Sequence, residues 1–243
     1  MHEQLPFTAL LNRLLAGPVT SLLHALGIHP HSPNAPIPNY VAMQIFVFGL
    51  LVLFFVMVRS RLSVESPGAI QNTMEGINGF ISGLGREIIG HGYERFVPFL
   101  TILGLFILTA NLLGLFPFFE SPTAVASVPL GCALVTWFYY HFQGFRENGI
   151  RYLKHFMGPV AVLAPLMFLI EIISHIARVM SLTVRLFANI FAGDMLTLAF
   201  FSLIPIGVPV IFLGLHLGVS IIQTYIFVLL ATVYVAEAAG HEH

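Results

Sequence analysis

Over residues 159–203 the chain offers some 45 helix-compatible, mostly apolar positions, and no proline falls between 166 and 204. A helix of that length measures ~65 Å at 1.5 Å per residue. The hydrocarbon core of a bilayer is only ~30 Å thick. A second run of the same kind, 210–239, follows Pro205, Gly207 and Pro209, which together read as a turn. Such a pair of helices must either break into short spans or lie steeply tilted, and the unbroken run predicts tilt. The rest of the composition agrees with a lipid environment. Of 243 residues, 57% are hydrophobic and 9% charged, against about 25% charged in soluble domains. So few polar side chains leave too little for an exterior facing water, and the fold class expected is an all-α membrane protein. With 10 basic and 11 acidic residues, a net charge of −1 does not suggest a nucleic-acid binder. The lone Cys132 leaves no intrachain disulfide and too few thiolates for a zinc or iron–sulfur site. Glu3 near the front of a short apolar run argues against a cleaved signal peptide.

Laid across a bilayer, residues 1–39 read as an external segment with a surface helix over 4–27, and residues 40–243 as the membrane domain. Five spans are expected, at about 40–58, 96–116, 123–142, 159–203 and 210–239. Residues 67–92 differ, being glycine-rich and charged on one side, and read as an amphipathic segment at the cytoplasmic surface. With these spans Arg59, Arg61, Arg86, Arg95, Arg146, Arg151 and Lys154 share one side and Arg13 stands alone opposite. The positive-inside rule then puts the N-terminus outside and the C-terminus in the cytoplasm.

The informative residues are the ionisable ones inside the two long runs: Glu171, His175, Arg178, Arg185, Asp194 and His216. A charge at mid-membrane costs about 2.5–3.5 kcal/mol even on the lenient insertion scale. Glu171, His175, Arg178, Arg185 and Asn189 follow at steps of 4, 3, 7 and 4 residues, which keeps all five on one helical stripe. A seam that merely glues helices would normally use Ser, Thr or Asn, and two arginines to one glutamate is poor balance for a static pair. Glu171 and His175 at i, i+4 lack further ligands for a metal. Antiparallel helices turning near residue 204 pair positions whose numbers sum to about 409. That places Asp194 level with His216, Asn189 with Ser220 and Arg185 with Gln223, a single buried polar track. Arginine is not deprotonated in proteins, so Arg185 is a fixed cation. At ~4 Å and an effective dielectric near 20 it attracts a carboxylate by about 4 kcal/mol, or about three pKa units. Glu171 and Asp194 lie toward opposite ends of the run, so the carboxylate it governs is expected from another subunit. Two partial pathways, one to each face, with a cation between them, is the arrangement this suggests.

The stretch Ser181-Leu-Thr-Val-Arg185-Leu-Phe-Ala-Asn189-Ile-Phe-Ala-Gly193-Asp194 resembles the signature of subunit a of F-type ATP synthases. So do His216 and Gln223, seven residues apart, Asn111-Leu-Leu-Gly-Leu-Phe-Pro117, and Glu171 fourteen residues before the arginine. The resemblance covers nearly all of the chain beyond about residue 30. It implies a proton-translocating stator beside a rotating ring of subunit c, with peripheral-stalk b subunits and the remaining synthase subunits as partners, in the inner membrane of a bacterium. By the same resemblance Arg185 forces ring carboxylates to deprotonate and blocks leak, Asn189 and Gln223 flank it, Asp194 and His216 belong to the outer half-channel, and Glu171 to the cytoplasmic one; His175, on the stripe of Glu171, is a further candidate for proton translocation. No cofactor or metal is implied, and no catalysis by the chain itself. Ala188 stands where many members have glycine, and Asp194 where glutamate is common.

Arg178 is expected to face lipid headgroups or the ring edge, and Tyr234 and Glu237 to anchor the interface. Asn111 reads as a helix-to-helix bond or a channel lining, Glu120 as access lining or a solvated loop acid. Ser220 and Arg178 are further lining candidates, and Ser181 is expected to bond backbone carbonyls. A membrane protease or hydrolase would need a nucleophile elbow or an H-E-x-x-H motif, and the sequence has neither. A stand-alone transporter would show paired halves, which are not visible.

Overall fold

A computed structural model describes residues 5–25, 27, 35–63, 68–116, 119–149, 152, 164–203 and 208–240. Among them the regular structure is helical throughout: α1 (Pro6–Ala25), α2 (Asn39–Ser60), α3 (Ala69–Ile88), α4 (Val97–Leu113), α5 (Ser127–Asn148), α6 (Ala164–Leu203) and α7 (Val208–Ala239). Short 3-10 turns at Tyr93–Arg95 and Pro122–Ala124 lead into α4 and α5. Residues 159–163, Arg151, Lys154, and Pro205 with Gly207 of the expected turn lie outside the described residues.

Several helix ends follow from local sequence. Pro38, in an extended conformation, precedes α2, and Arg59 closes its last turn. The glycines after α3 turn the chain sharply, Gly90 and Gly92 having φ of 79° and 78°, a region that costs glycine nothing. α3 shows the expected amphipathic character: Ile81 is buried, with Ile77 and Leu84 packed beside it. α6 carries Pro165 in its first turn, where a missing N–H is harmless, and is unbroken over its 40 residues. At 1.5 Å per residue it spans ~60 Å, so the alternative of two short spans is excluded.

Three helical stretches among the described residues are long and apolar enough to cross a membrane: Asn39–Ser60, Ala164–Ser202 and Val210–Ala239. Val97–Leu113 is apolar but shorter. α5 starts later than residue 123, because Pro122–Ala124 forms its own turn, and it ends on a polar stretch containing Gln143, Arg146 and Glu147. The chain is an all-α membrane protein.

α6 packs along α7 and against α5, while α7 also meets α4 and α5. Their shared core holds Phe96, Leu100, Ile107, Tyr140, Leu186, Ile190 and Phe227. Lipid tails are as apolar as leucine, so such helices hold by close packing and buried hydrogen bonds rather than by leaving water. Gly104 serves that fit, since a Cβ there would stand 3.0 Å from Val228 Cγ2. A second cluster joins α2 to α4 through Met43, Val47, Leu105 and Ala110. α1 is tied on by Asn12, whose amide donates to the Ile37 carbonyl and accepts from the Ile37 N–H, both at 3.0 Å. The exterior is apolar, with Phe48, Leu53, Phe138 and Phe142 exposed, as a lipid-facing surface should be.

Candidate functional site

The hairpin of α6 and α7 has a turn end, near Leu203, and an open end, near Ala164 and Ala239. Polar side chains gather at three levels along it.

At the turn end, Asp194 Oδ1 lies 3.5 Å from His216 Nδ1. His216 is buried and rests on the bare backbone of Gly193, where a Cβ would stand 2.9 Å from its Nδ1. Asp194 in turn meets Gly114, just past α4, where a Cβ would be 3.3 Å from Oδ1. Behind them Asn111, fully buried, accepts a 2.7 Å hydrogen bond from Thr123 Oγ1 and has its amide 3.5 Å from Thr224 Oγ1. Ser121 Oγ donates to the Ala110 carbonyl at 3.0 Å and sits 2.7 Å from Thr123 Oγ1. Asn111 therefore links α4 to α7 and to the turn at 122–124. Among the described residues the Nε2 of His216 and the Oγ of Ser220 are buried with no hydrogen-bond partner, two polar atoms along the same wall of α7. Glu120 is on the rim, where Asn39 Nδ2 approaches it at 3.4 Å.

The middle level holds Arg185. Its side chain reaches back one turn and donates to Ser181 Oγ at 3.1 Å, so Ser181 serves as an acceptor for the guanidinium. Among the described residues no carboxylate forms an ion pair with Arg185. The same side of α6 exposes Ser181, Val184, Ala188 and Ala192, small or compact residues that leave the helix backbone open to close approach. One turn further, Asn189 Nδ2 donates to Gln223 Oε1 at 2.8 Å, and Gln223 is buried.

At the open end Glu171 Oε1 lies 3.4 Å from His175 Nε2. Tyr140 of α5 bonds His175 Nδ1 through its hydroxyl at 2.8 Å, and Tyr152 bonds His141 Nδ1 at 2.9 Å. The two histidine rings meet edge to face, 4.6 Å apart. Arg178 forms a two-pronged pair with Glu237, at 2.6 and 2.8 Å, and its guanidinium lies 4.9 Å over the Tyr234 ring. Arg95 and Glu147 pair as well, joining the start of α4 to the end of α5.

Three expectations are corrected. Arg178 turns inward to α7 instead of facing headgroups or a ring edge, because Glu237 offers both carboxylate oxygens to its planar fork. Tyr234 and Glu237 accordingly hold Arg178 rather than anchoring the chain at an interface. The level pairs Asn189–Ser220 and Arg185–Gln223 give way to Asn189–Gln223. Side chains tilt toward the N-terminus of their own helix, so partners on antiparallel helices lie further along α7 than their level positions. The offset grows with side-chain length, from the compact Asp194–His216 pair through Asn189–Gln223 to Arg178–Glu237.

Sequence reasoning missed Tyr140, His141, Tyr152 and Thr123. The run Tyr139-Tyr140-His141 in an otherwise apolar helix was the available signal. Among the described residues no group of three or more His, Cys, Asp or Glu side chains could hold a metal ion.

A family model described as the ATP synthase A chain matches residues 41–236. The chain is 61% identical to ATP synthase subunit a of Koribacter versatilis (strain Ellin345), over the whole of both chains. The subunit a of Solibacter usitatus (strain Ellin6076) is 46% identical, covering 96% of this chain and 99% of its own length. That of Aquifex aeolicus (strain VF5) is 42% identical over 79% of this chain and 93% of its own.

Proposed function

The chain belongs to the ATP synthase A chain family, and from that premise we propose that it is the proton-translocating, non-catalytic stator subunit of a bacterial F-type ATP synthase. In this reading it crosses the inner membrane five times, with its N-terminus outside and its C-terminus in the cytoplasm, beside a ring of c subunits and in contact with peripheral-stalk b subunits. The turn end of the hairpin then faces outward and the open end faces the cytoplasm.

The single observation that carries the reading is Arg185: a fixed cation without a carboxylate partner among the described residues, at the edge of an exposed face of α6. It stands between two separate polar clusters. Asp194 is nine residues away, ~14 Å along the helix, and Glu171 fourteen residues the other way, ~21 Å. A ring carboxylate stays protonated while it faces lipid, where a charge is costly. Brought to within ~4 Å of Arg185, it gains the roughly 4 kcal/mol that favours ionisation. The proton it loses leaves by way of His175 and Glu171. Asp194 and His216 supply a new proton from outside to the next carboxylate, and the amides of Asn189 and Gln223 hold the two helices together beside the cation. A proton crossing directly between the clusters would have to pass a permanent positive charge, which suppresses leak.

The test uses the whole complex in vesicles driven by an imposed proton gradient. Arg185→Ala is expected to assemble and to abolish ATP synthesis. Synthesis at the unmutated rate would defeat the proposal.

A further inference from the structure

At the open end Tyr140, Glu171, His175, Arg178, Tyr234 and Glu237 wall a cavity of ≈ 10 Å³, close to the least space that holds one water molecule. Two carboxylates and one guanidinium thus share one small polar space. Arg178 gives both prongs of its fork to Glu237, at 2.6 and 2.8 Å. The ring of Tyr234, 4.9 Å away, fixes the plane of the guanidinium. Glu171 is left with His175 at 3.4 Å.

The alternative pairing is built into α6. Glu171 and Arg178 are seven residues apart, so they stand on the same helix face, and both reach the same cavity. Without Glu237, the carboxylate nearest to hand for Arg178 is Glu171. A carboxylate clamped by a guanidinium keeps its charge and no longer takes up or passes on a proton. We infer that Glu237 is a positioning residue for proton transfer: it holds Arg178 as a closed pair and so leaves Glu171 free to exchange protons with His175 and a water in the cavity. Glu237 touches no transferred proton itself. The inference rests on the role proposed above for Glu171 in the cytoplasmic pathway.

The assembled synthase in vesicles tests it, by proton-driven ATP synthesis per complex. E237Q removes the charge and keeps the size, and is expected to slow synthesis about ten-fold, as about 1.4 kcal/mol of added hold on Glu171 would. E237D, which keeps the charge, is expected to retain most of the rate. The double variant R178Q/E237Q, with no cation left to capture Glu171, is expected to recover most of what E237Q loses. A merely structural pair would also be relieved by deleting its second half, so the thermal midpoint of each solubilised complex is read alongside: E237Q is expected to slow synthesis with its midpoint nearly unchanged, and a slowing matched by a fallen midpoint overturns the inference. An E237Q complex as fast as the unmutated one overturns the inference, and so does a double variant no faster than E237Q. Failure of E237Q to assemble likewise overturns it, since a pair needed for assembly is structural. R185A measured alongside separates the two readings. Its loss of synthesis together with a fast E237Q refutes Glu237 alone, whereas a fast R185A removes the parent proposal.

Discussion

The two polar clusters of the hairpin are organised by different forces. Around Asp194 and His216 the side chains are compact, and glycines at 193 and 114 set the distances by letting backbone and side chain touch. Around Glu171 and His175 the side chains are long, drawn from three helices, and arranged by a full ion pair and by tyrosine hydroxyls. The first is a matter of volume, the second of charge. A methyl group is therefore the sharper probe at one end and a neutralised charge at the other.

The contrast is open to direct attack. The largest effect is expected from the ionisable pair itself: Asp194→Asn or His216→Ala should slow proton uptake from the outer side by roughly 100-fold, the lower range for a lost proton-transfer group. Passive flux through the complex should not rise, and unchanged driven flux in both variants would take the pair out of the pathway. Gly193→Ala is next. Its Cβ would press on His216 at 2.9 Å, and a drop of about ten-fold in uptake is expected from a displaced relay group. Asn111→Leu tests the bracing instead of the chemistry. Leaving Thr123 without its acceptor should cost about 1–3 kcal/mol, read as a lower thermal midpoint of the solubilised complex; an unchanged midpoint would show the bond to be dispensable. The smallest change in flux is expected at the other end, from Gly144→Ala. A Cβ there would stand 2.6 Å from the Tyr152 ring, so stability should fall by about 1–3 kcal/mol through overpacking while proton flux changes little. Equal slowing by Gly144→Ala and Gly193→Ala would erase the distinction between the ends.

Much of this was visible in the residues because lipid makes polarity expensive. Two apolar runs too long for an upright span must either break or tilt, the lack of proline within 166–204 favours unbroken helices, and α6 and α7 are those helices. Every ionisable residue within them had to have a reason, which is why Glu171, His175, Asp194 and His216 were singled out and why the structure brings them together in pairs. The partner of Arg178 was not readable. Glu237 sits far along α7, and only the opposite tilt of side chains on antiparallel helices carries Arg178 that far. α5 contributed Tyr140 and His141 for a different reason: which face of a helix meets the hairpin is decided by tertiary packing, and periodicity in a helix this apolar leaves that open. The apolar run places Thr123 at the start of a span, but the Pro122–Ala124 turn instead aims its hydroxyl at Asn111.

The unbroken course of α6 has a consequence if the chain is, as proposed, part of a machine that works against torque. A joint between Asp194 and Glu171 would let one access route advance while the other lagged, and loading could slip relative to unloading. One continuous rod forbids that: covalent geometry sets the interval, and a thicker or thinner bilayer changes its inclination rather than its length. In the proposed function timing would thereby be inherited from the pitch of a single helix, and every stroke of the motor measured against the same ruler.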